Sequence, residues 1–258
     1  MTSAQLGATD AVRFETVDQV AVITLAAPER RNALTQEMVD ALLEACDRID
    51  ADTAIGAALL RSLGPAFCAG ADRELLRQAG EDPFADSSKA FMSGAHECFA
   101  RISELSVPSI AAVRGHAVGA GVNLAFSADL RIVATDATLL AGFANIGIHP
   151  GGGHFGLIAR TAGRETAAAM GVFAQPLSGR RAAELGAAFE ALPEDEVEDR
   201  ALELARTAAV DPELSRVVVA TMRHELGPPA VGLRVGIDME NSAQLWSLRR
   251  RARGGGES

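Results

Sequence analysis

The apolar positions change period along the chain, and each change marks an element. Val12, Phe14 and Val17, then the unbroken run 20–25, read as two strands joined at Asp18-Gln19 and ended by Ala26-Ala27-Pro28. Met38, Val39, Leu42, Leu43, Cys46 and Ile49 then recur at helical spacing behind Thr35, a hydroxyl N-cap. Residues 55–60 predict a buried strand, 65–72 a loop of small residues, 89–105 a helix broken before Pro108, and 109–113 a further strand. Short strands are expected at 130–134 and 138–140, a turn at Gly151-Gly152-Gly153, and a helix over 155–162. From Glu194 the character changes: Val197, Ala201, Leu204 and Ala208 form a helical stripe, no later strand is evident, and Pro228-Pro229 divides the tail into two helical segments.

Strands alternating with helices predict an α/β fold with parallel sheet, its strands covered on both faces. The change of pattern places a boundary near residue 200, with a core over 1–200 and a C-terminal helical region over 201–258. Composition narrows the function classes. With 48% hydrophobic and 22% charged residues the chain can bury a sizeable core, which excludes disorder. A net charge of -10 disfavours phosphate-backbone partners, so no nucleic-acid role is expected. The one dense basic cluster, Arg249-Arg250-Arg251 with Arg253, lies beside a Gly-rich end and reads as solvated tail. Cys46, Cys68 and Cys98 lack paired metal-ligand spacing, so neither a disulfide framework nor a metal site is indicated and a reducing cytoplasm is expected. Residues 1–10 lack a basic stretch followed by an apolar one, and no apolar run approaches the ~20 residues of a membrane span, so no membrane association is expected.

Candidate chemistry lies in two glycine-containing turns, each between an apolar strand and a helix: Phe67-Cys68-Ala69-Gly70-Ala71-Asp72 and Gly115-His116-Ala117-Val118-Gly119-Ala120-Gly121. Small residues let a backbone approach a ligand, and a helix N-terminus aims unpaired N–H groups at negative charge. Either turn alone is read first as a tight strand-to-helix connection. Asp72 opens a helix after the first turn, a capping position for a carboxylate. His96, His116, His149 and His154 are each read first as packed histidines.

Taken together and in order, five segments resemble the crotonase (enoyl-CoA hydratase/isomerase) superfamily over most of the chain. They are Pro28-Glu29-Arg30-Arg31-Asn32-Ala33-Leu34, Ala66 through Asp72, Pro108 through Gly115, Ala128-Asp129-Leu130-Arg131, and Gly147-Ile148-His149-Pro150-Gly151-Gly152-Gly153. The resemblance implies a spiral of ββα units, with a C-terminal helical region that builds a homotrimer or a dimer of trimers. It implies an acyl-CoA substrate, coenzyme A entering as part of the thioester and no permanently bound cofactor. It also implies that the backbone N–H groups of Ala71 and Ala120 form an oxyanion hole for a thioester enolate. Coenzyme A contacts then fall on Arg30, Ala33 and the stretch Ala69, Gly70, Ala71, Asp72, Arg73 and Glu74. Two donors of this kind are chemically sufficient for much of the work, since removing one typically costs ~3–4 kcal/mol of barrier.

The sequence departs from the family where hydratases carry two glutamates. The first position, three residues after Ala120, is Asn123, and the second, seven before Pro150, is Phe143. Neither exchanges a proton; Asn123 can hydrogen-bond, while Phe143 fills space. Ordinary hydration is therefore not expected. His96, twelve residues before Pro108 where a related aryl-CoA dehalogenase carries a histidine, and its neighbour Glu97 are the candidate replacements. The nucleophilic aspartate of that dehalogenase would fall on Gly151, so its reaction is not expected. Decarboxylation of a malonyl-type thioester needs no base, isomerisation needs His96 or Glu97 to shuttle a proton, and thioester hydrolysis needs an activated water. The alternative is a non-catalytic acyl-CoA-binding protein that keeps the pocket without the chemistry.

Overall fold

The computed structural model describes residues 11–226 and, beyond them, the helical positions Arg234, Ile237, Asp238, Asn241, Gln244, Leu245, Leu248, Arg249, Ala252 and Arg253. The chain opens with the hairpin β1 (Val12–Val17) and β2 (Val20–Leu25), turning at Asp18 and Gln19, which both take positive φ as this tight turn demands. A 3₁₀ turn at Pro28–Arg30 leads to α1 (Gln36–Ala51), capped by the Thr35 hydroxyl, which accepts the Met38 N–H. There follow β3 (Ala57–Ser62), β4 (Ala66–Cys68), α2 (Arg73–Glu81), α3 (Asp86–Ser103), β5 (Ser109–Val113), β6 (His116–Val118), α4 (Ala120–Ser127), β7 (Leu130–Ala134) and β8 (Thr138–Leu140). The order ends with α5 (His154–Gly171), β9 (Leu177–Ser178), α6 (Gly179–Glu184), β10 (Glu190–Leu192), α7 (Val197–Ala209) and α8 (Pro212–Leu226).

These strands build two sheets, one ordered β1-β2-β3-β5-β7-β10 and the other β4-β6-β8-β9. Each ββα unit gives its first strand to the larger sheet and its second to the smaller: β3 with β4, β5 with β6, β7 with β8. Neighbouring units pair in parallel within both sheets, whereas β1–β2 and β8–β9 are antiparallel. This is the spiral of ββα units that the family resemblance implies, with helices after it.

Two apolar clusters divide the interior. The larger gathers α1, α3, α4 and α5 against the sheets, with Phe67, Phe91 and Phe99 fully buried; the smaller lies between the larger sheet and α7. In α7 the buried stripe is Val197, Ala201, Ala205 and Ala209, every fourth residue, with Leu204 and Ala208 at its half-buried edge. Small residues there let the helix sit close on β2, β3, β5 and β7, so residue 200 falls within a helix packed on the larger sheet. Helix α8 is pinned by two arginines: Arg223 donates to the Asp129 carboxylate at 2.6 Å, and Arg216 to the carbonyls of Ile49 and Asp52 at 3.0 and 2.7 Å.

The structure differs from the sequence reading in the short strands. Residues 65–72 are not wholly loop, because Ala66–Cys68 pairs with β6; β6, β9 and β10 were not foreseen. The helix expected over 155–162 runs on to Gly171, across a kink at Gly163 (φ 78°, ψ 171°). Pro228-Pro229 lies outside the described residues. Among the described residues no helix is long and apolar enough to cross a membrane.

Candidate active site

The segment after the first hairpin is fastened to the first glycine turn by its backbone. Asn32 is fully buried at positive φ (54°), a conformation asparagine tolerates; it accepts the Ala27 N–H and donates to the carbonyls of Leu63 and Ala66 at 2.9 and 2.8 Å. Arg31 O accepts the Ala69 N–H, Gly70 O accepts the Leu34 N–H at 2.7 Å, and Leu34 O accepts the Asp72 N–H at 2.9 Å. Asp72 then caps α2, its Oδ1 accepting the N–H groups of Glu74 and Leu75 at 2.9 and 3.2 Å. The carboxylate is thus engaged in the structural task its position suggested.

The second turn comes down directly on the first. At Gly121 an added Cβ would stand 2.2 Å from Cys68 O, and at Gly70 (φ +96°) it would stand 2.9 Å from Val118 O and 3.7 Å from Ala120 N. Only glycine at both positions lets the two backbones touch. Ala120 is the first residue of α4, where an N–H has no intrahelical acceptor, and its φ is not positive. Among the described residues, neither the Ala71 nor the Ala120 N–H donates to a protein acceptor, and both residues are partly exposed. Two unengaged donors on abutting turns are what an oxyanion requires. The Cys68 thiol behind them is buried and desolvation pushes its pKa up to about 12, so it stays protonated.

Asn123, one turn along α4 from Ala120, is 1% exposed; its Nδ2 donates to Gly151 O at 2.7 Å and its Oδ1 lies 2.8 Å from His154 Nδ1. Phe143 meets the same histidine edge-to-face, ring centroids 5.2 Å apart. Both positions where hydratases carry glutamate therefore converge on His154, which is fully buried and whose pKa desolvation lowers to about 4, leaving the imidazole neutral. His96 is also neutral: desolvation brings its pKa to about 4, opposed by a hydrogen bond with Gln244. That glutamine belongs to the C-terminal helical segment and lies flush on Gly151, where a Cβ would meet its amide at 2.3 Å. The packed reading of His96 and His154 holds as far as burial goes, whereas His116 is exposed.

Of the remaining candidates, Arg30 is half-buried with Glu29 3.9 Å away, Ala33 and Ala69 are half-buried, and Gly70 is buried. Arg73 and Glu74 are exposed on the first turn of α2, where Glu74 is held by Arg77 and Gln78. Glu97, offered with His96 as a proton shuttle, is instead ion-paired with Arg234 at 3.0 Å, and that arginine also holds Glu104. Sequence reasoning missed the roles of Asn32, Gln244 and His154. Asn32 carried a signal, a turn-forming residue inside a recognised segment; a histidine at a helix start and a lone glutamine in a tail carried none. A cavity of about 1200 Å³ elsewhere, lined by Leu105, Phe126, Leu157, Leu204, Val219 and Met222 among others, includes none of the candidate site residues.

Comparison with known proteins agrees with this architecture. The family model described as enoyl-CoA hydratase/isomerase matches residues 15–243. The chain is 36% identical over 225 residues to a Mycobacterium tuberculosis protein named "Probable enoyl-CoA hydratase echA14", covering 87% of this chain and 86% of that one. It is 33% identical over 196 residues to the 1,2-epoxyphenylacetyl-CoA isomerase of Escherichia coli K12, covering 75% and 74%. The crystal structure of an enoyl-CoA hydratase from Bacillus halodurans superposes with a TM-score of 0.83 at 23% identity, covering 95% of this chain and 99% of that one. A family match across nine-tenths of the chain, on this spiral fold, places the protein in the enoyl-CoA hydratase/isomerase family of the crotonase superfamily.

Proposed function

We propose that the protein is an enzyme that processes acyl-CoA thioesters by stabilising a thioester enolate between the N–H groups of Ala71 and Ala120. The observation that carries this reading is the pair of unengaged donors on turns brought into contact by Gly70 and Gly121. Coenzyme A lies along Arg30, Ala33 and Ala69 through Glu74. The wall formed by Asn123, Phe143 and neutral His154 holds no carboxylate, and Glu97 is committed to Arg234. Chemistry that begins without a protein base is therefore favoured: decarboxylation of a malonyl-type thioester. The bond between the α-carbon and the carboxylate breaks, its electron pair enters the enolate, and carbon dioxide leaves. The enolate oxygen is held by the two donors until the α-carbon takes a proton from water. Phe143 excludes water from the departing carboxylate, which favours a product without charge.

The exposed apolar residues Leu214, Val217, Val218 and Leu226 on α8 support assembly as a homotrimer or a dimer of trimers. The test of function is incubation with enoyl, 3-enoyl, epoxyphenylacetyl and malonyl thioesters followed by mass spectrometry, beside melting temperatures measured with coenzyme A. Loss of carbon dioxide from a malonyl-type thioester is expected, and coenzyme A should raise the melting temperature by mass action. A melting shift without turnover of any thioester would establish the non-catalytic binder instead; no shift with millimolar coenzyme A or its acyl derivatives would overturn the whole reading.

A further inference from the structure

The hydrogen bonds around Asn123 fix more than its position. Gly151 O can only accept, so the amide group 2.7 Å from it must be Nδ2–H, and Oδ1 is thereby turned toward His154. Oδ1 can likewise only accept, so the nitrogen 2.8 Å away, Nδ1 of His154, must carry the imidazole proton. A neutral histidine normally has a choice of tautomer; here a carbonyl two bonds of the network away has made it. The two contacts leave the amide one further Nδ2–H. The site is packed tightly enough to hold this arrangement: Gly152 (φ +72°) lies so close that a Cβ there would be 3.0 Å from Nδ2, and Phe143 packs against the imidazole in a T-shaped arrangement.

We propose that His154 is a specificity-determining positioning residue: by donating from Nδ1 it locks Asn123 with its remaining N–H as the group offered to the acyl portion of the substrate, selecting acyl chains that bear an acceptor such as a carboxylate. His154 thereby does for a neutral site what a charged residue would otherwise do, setting the sign of the hydrogen-bonding surface without bringing a charge into it. The inference rests on the thioester reading above only for the identity of the ligand; the tautomer and the amide lock stand on the hydrogen-bond geometry.

Two measurements separate these parts. Nitrogen-15 NMR of histidine-labelled protein, with His154→Gln used to assign the resonance, should show His154 neutral and protonated at Nδ1 at pH 7.5; an Nε2-protonated ring would overturn the lock. Binding of methylmalonyl-CoA, butyryl-CoA and coenzyme A is then measured for the native protein, His154→Gln and His154→Leu. Gln can donate to Asn123 Oδ1 and Leu cannot. His154→Leu is expected to lose roughly tenfold of the preference for methylmalonyl-CoA over butyryl-CoA with coenzyme A affinity unchanged, and His154→Gln to retain most of it, since a hydrogen bond to a charged group is among the stronger ones. An unchanged preference in folded His154→Leu would overturn the selectivity role. Absence of coenzyme A binding in the native protein would overturn the thioester reading and, with it, the identity assigned to the ligand, while the NMR result would still decide the lock.

Discussion

Substituting Gly121 by alanine tests the proposed oxyanion hole without touching either proposed donor. The added methyl would stand 2.2 Å from Cys68 O and 2.9 Å from both the carbonyl carbon and Cβ of Cys68, where ordinary contact begins at 3.4 Å. Gly121 is a helical residue without positive φ, so the effect is steric and not conformational. Cys68 is a fully buried strand residue and cannot rotate away, so the turns must part by about 1 Å, and overpacking of this kind costs ~1–3 kcal/mol. In a chain of this size that lowers the melting temperature by roughly 2–12 °C. Parting the turns carries the Ala120 N–H away from the Ala71 N–H. A displacement of ~1 Å costs about 10²-fold, and full loss of one donor about 10²–10³-fold. Steady-state turnover of whichever thioester the native protein consumes should therefore fall by at least 10²-fold, with coenzyme A affinity changed far less. Gly156→Ala is the control: nothing lies within 4 Å of its Cβ, it is helical, and alanine there should stabilise by ~0.5–1 kcal/mol with turnover unaffected. A folded Gly121→Ala protein with native turnover would refute the assignment of the hole to these two turns.

Ala120→Pro removes one donor at the first position of α4, where proline is tolerated; turnover should fall about 10²–10³-fold with the fold intact, as read by circular dichroism and single-turnover kinetics. Crotonyl-CoA should be hydrated far more slowly than by a two-glutamate hydratase, because general acid and base groups contribute ~10²–10⁴-fold each; rapid loss of enoyl absorbance with the native protein would contradict the reading of Asn123 and Phe143. His96 and His154, both brought to about 4 by burial, bind protons more readily when unfolded, where the value is ~6.5. Their contribution to stability, up to ~3 kcal/mol each, is full above pH 6.5 and declines as pH falls from 6.5 toward 4. Urea unfolding of native and His154→Phe proteins at pH 7.5, 6 and 5 should show a shallower decline in the variant.

The parts of this protein legible in the sequence are those set by the backbone. The hairpin turn at Asp18-Gln19, the Thr35 and Asp72 caps and the two glycine turns each leave a local mark, because only certain residues take those conformations or offer those acceptors. The three-residue strand β6 and the two-residue strand β9 are too short to show a period, and both are held by neighbours distant in sequence. The stripe on α7 was misplaced by one residue at its C-terminal half because Leu204 looks more apolar than Ala205, yet only the smaller side chain fits against the larger sheet. The wall of the candidate site was half legible: Asn123 and Phe143 stood out as departures, but their joint partner His154 and the Gln244 contact to His96 arise from tertiary packing between elements far apart in the chain.

The parallel pairing of β4 with β6 has a further consequence. Ala71 lies three residues beyond the end of β4 and Ala120 two residues beyond the end of β6, and adjacent strands in any sheet lie about 4.8 Å apart. Pairing of the two strands therefore brings the two turns, and the N–H groups proposed as donors, to the same edge of the smaller sheet. The metric of the site is supplied by the ladder of main-chain hydrogen bonds, a length shared by every β-sheet. It requires no particular side chain to maintain it, so if the two turns form the proposed oxyanion hole, Asn123 and Phe143 can vary while that pair of donors stays in place. Exchange of Asn123 or Phe143 for other residues should thus redirect what is done to the bound thioester more readily than it abolishes the recognition of its carbonyl.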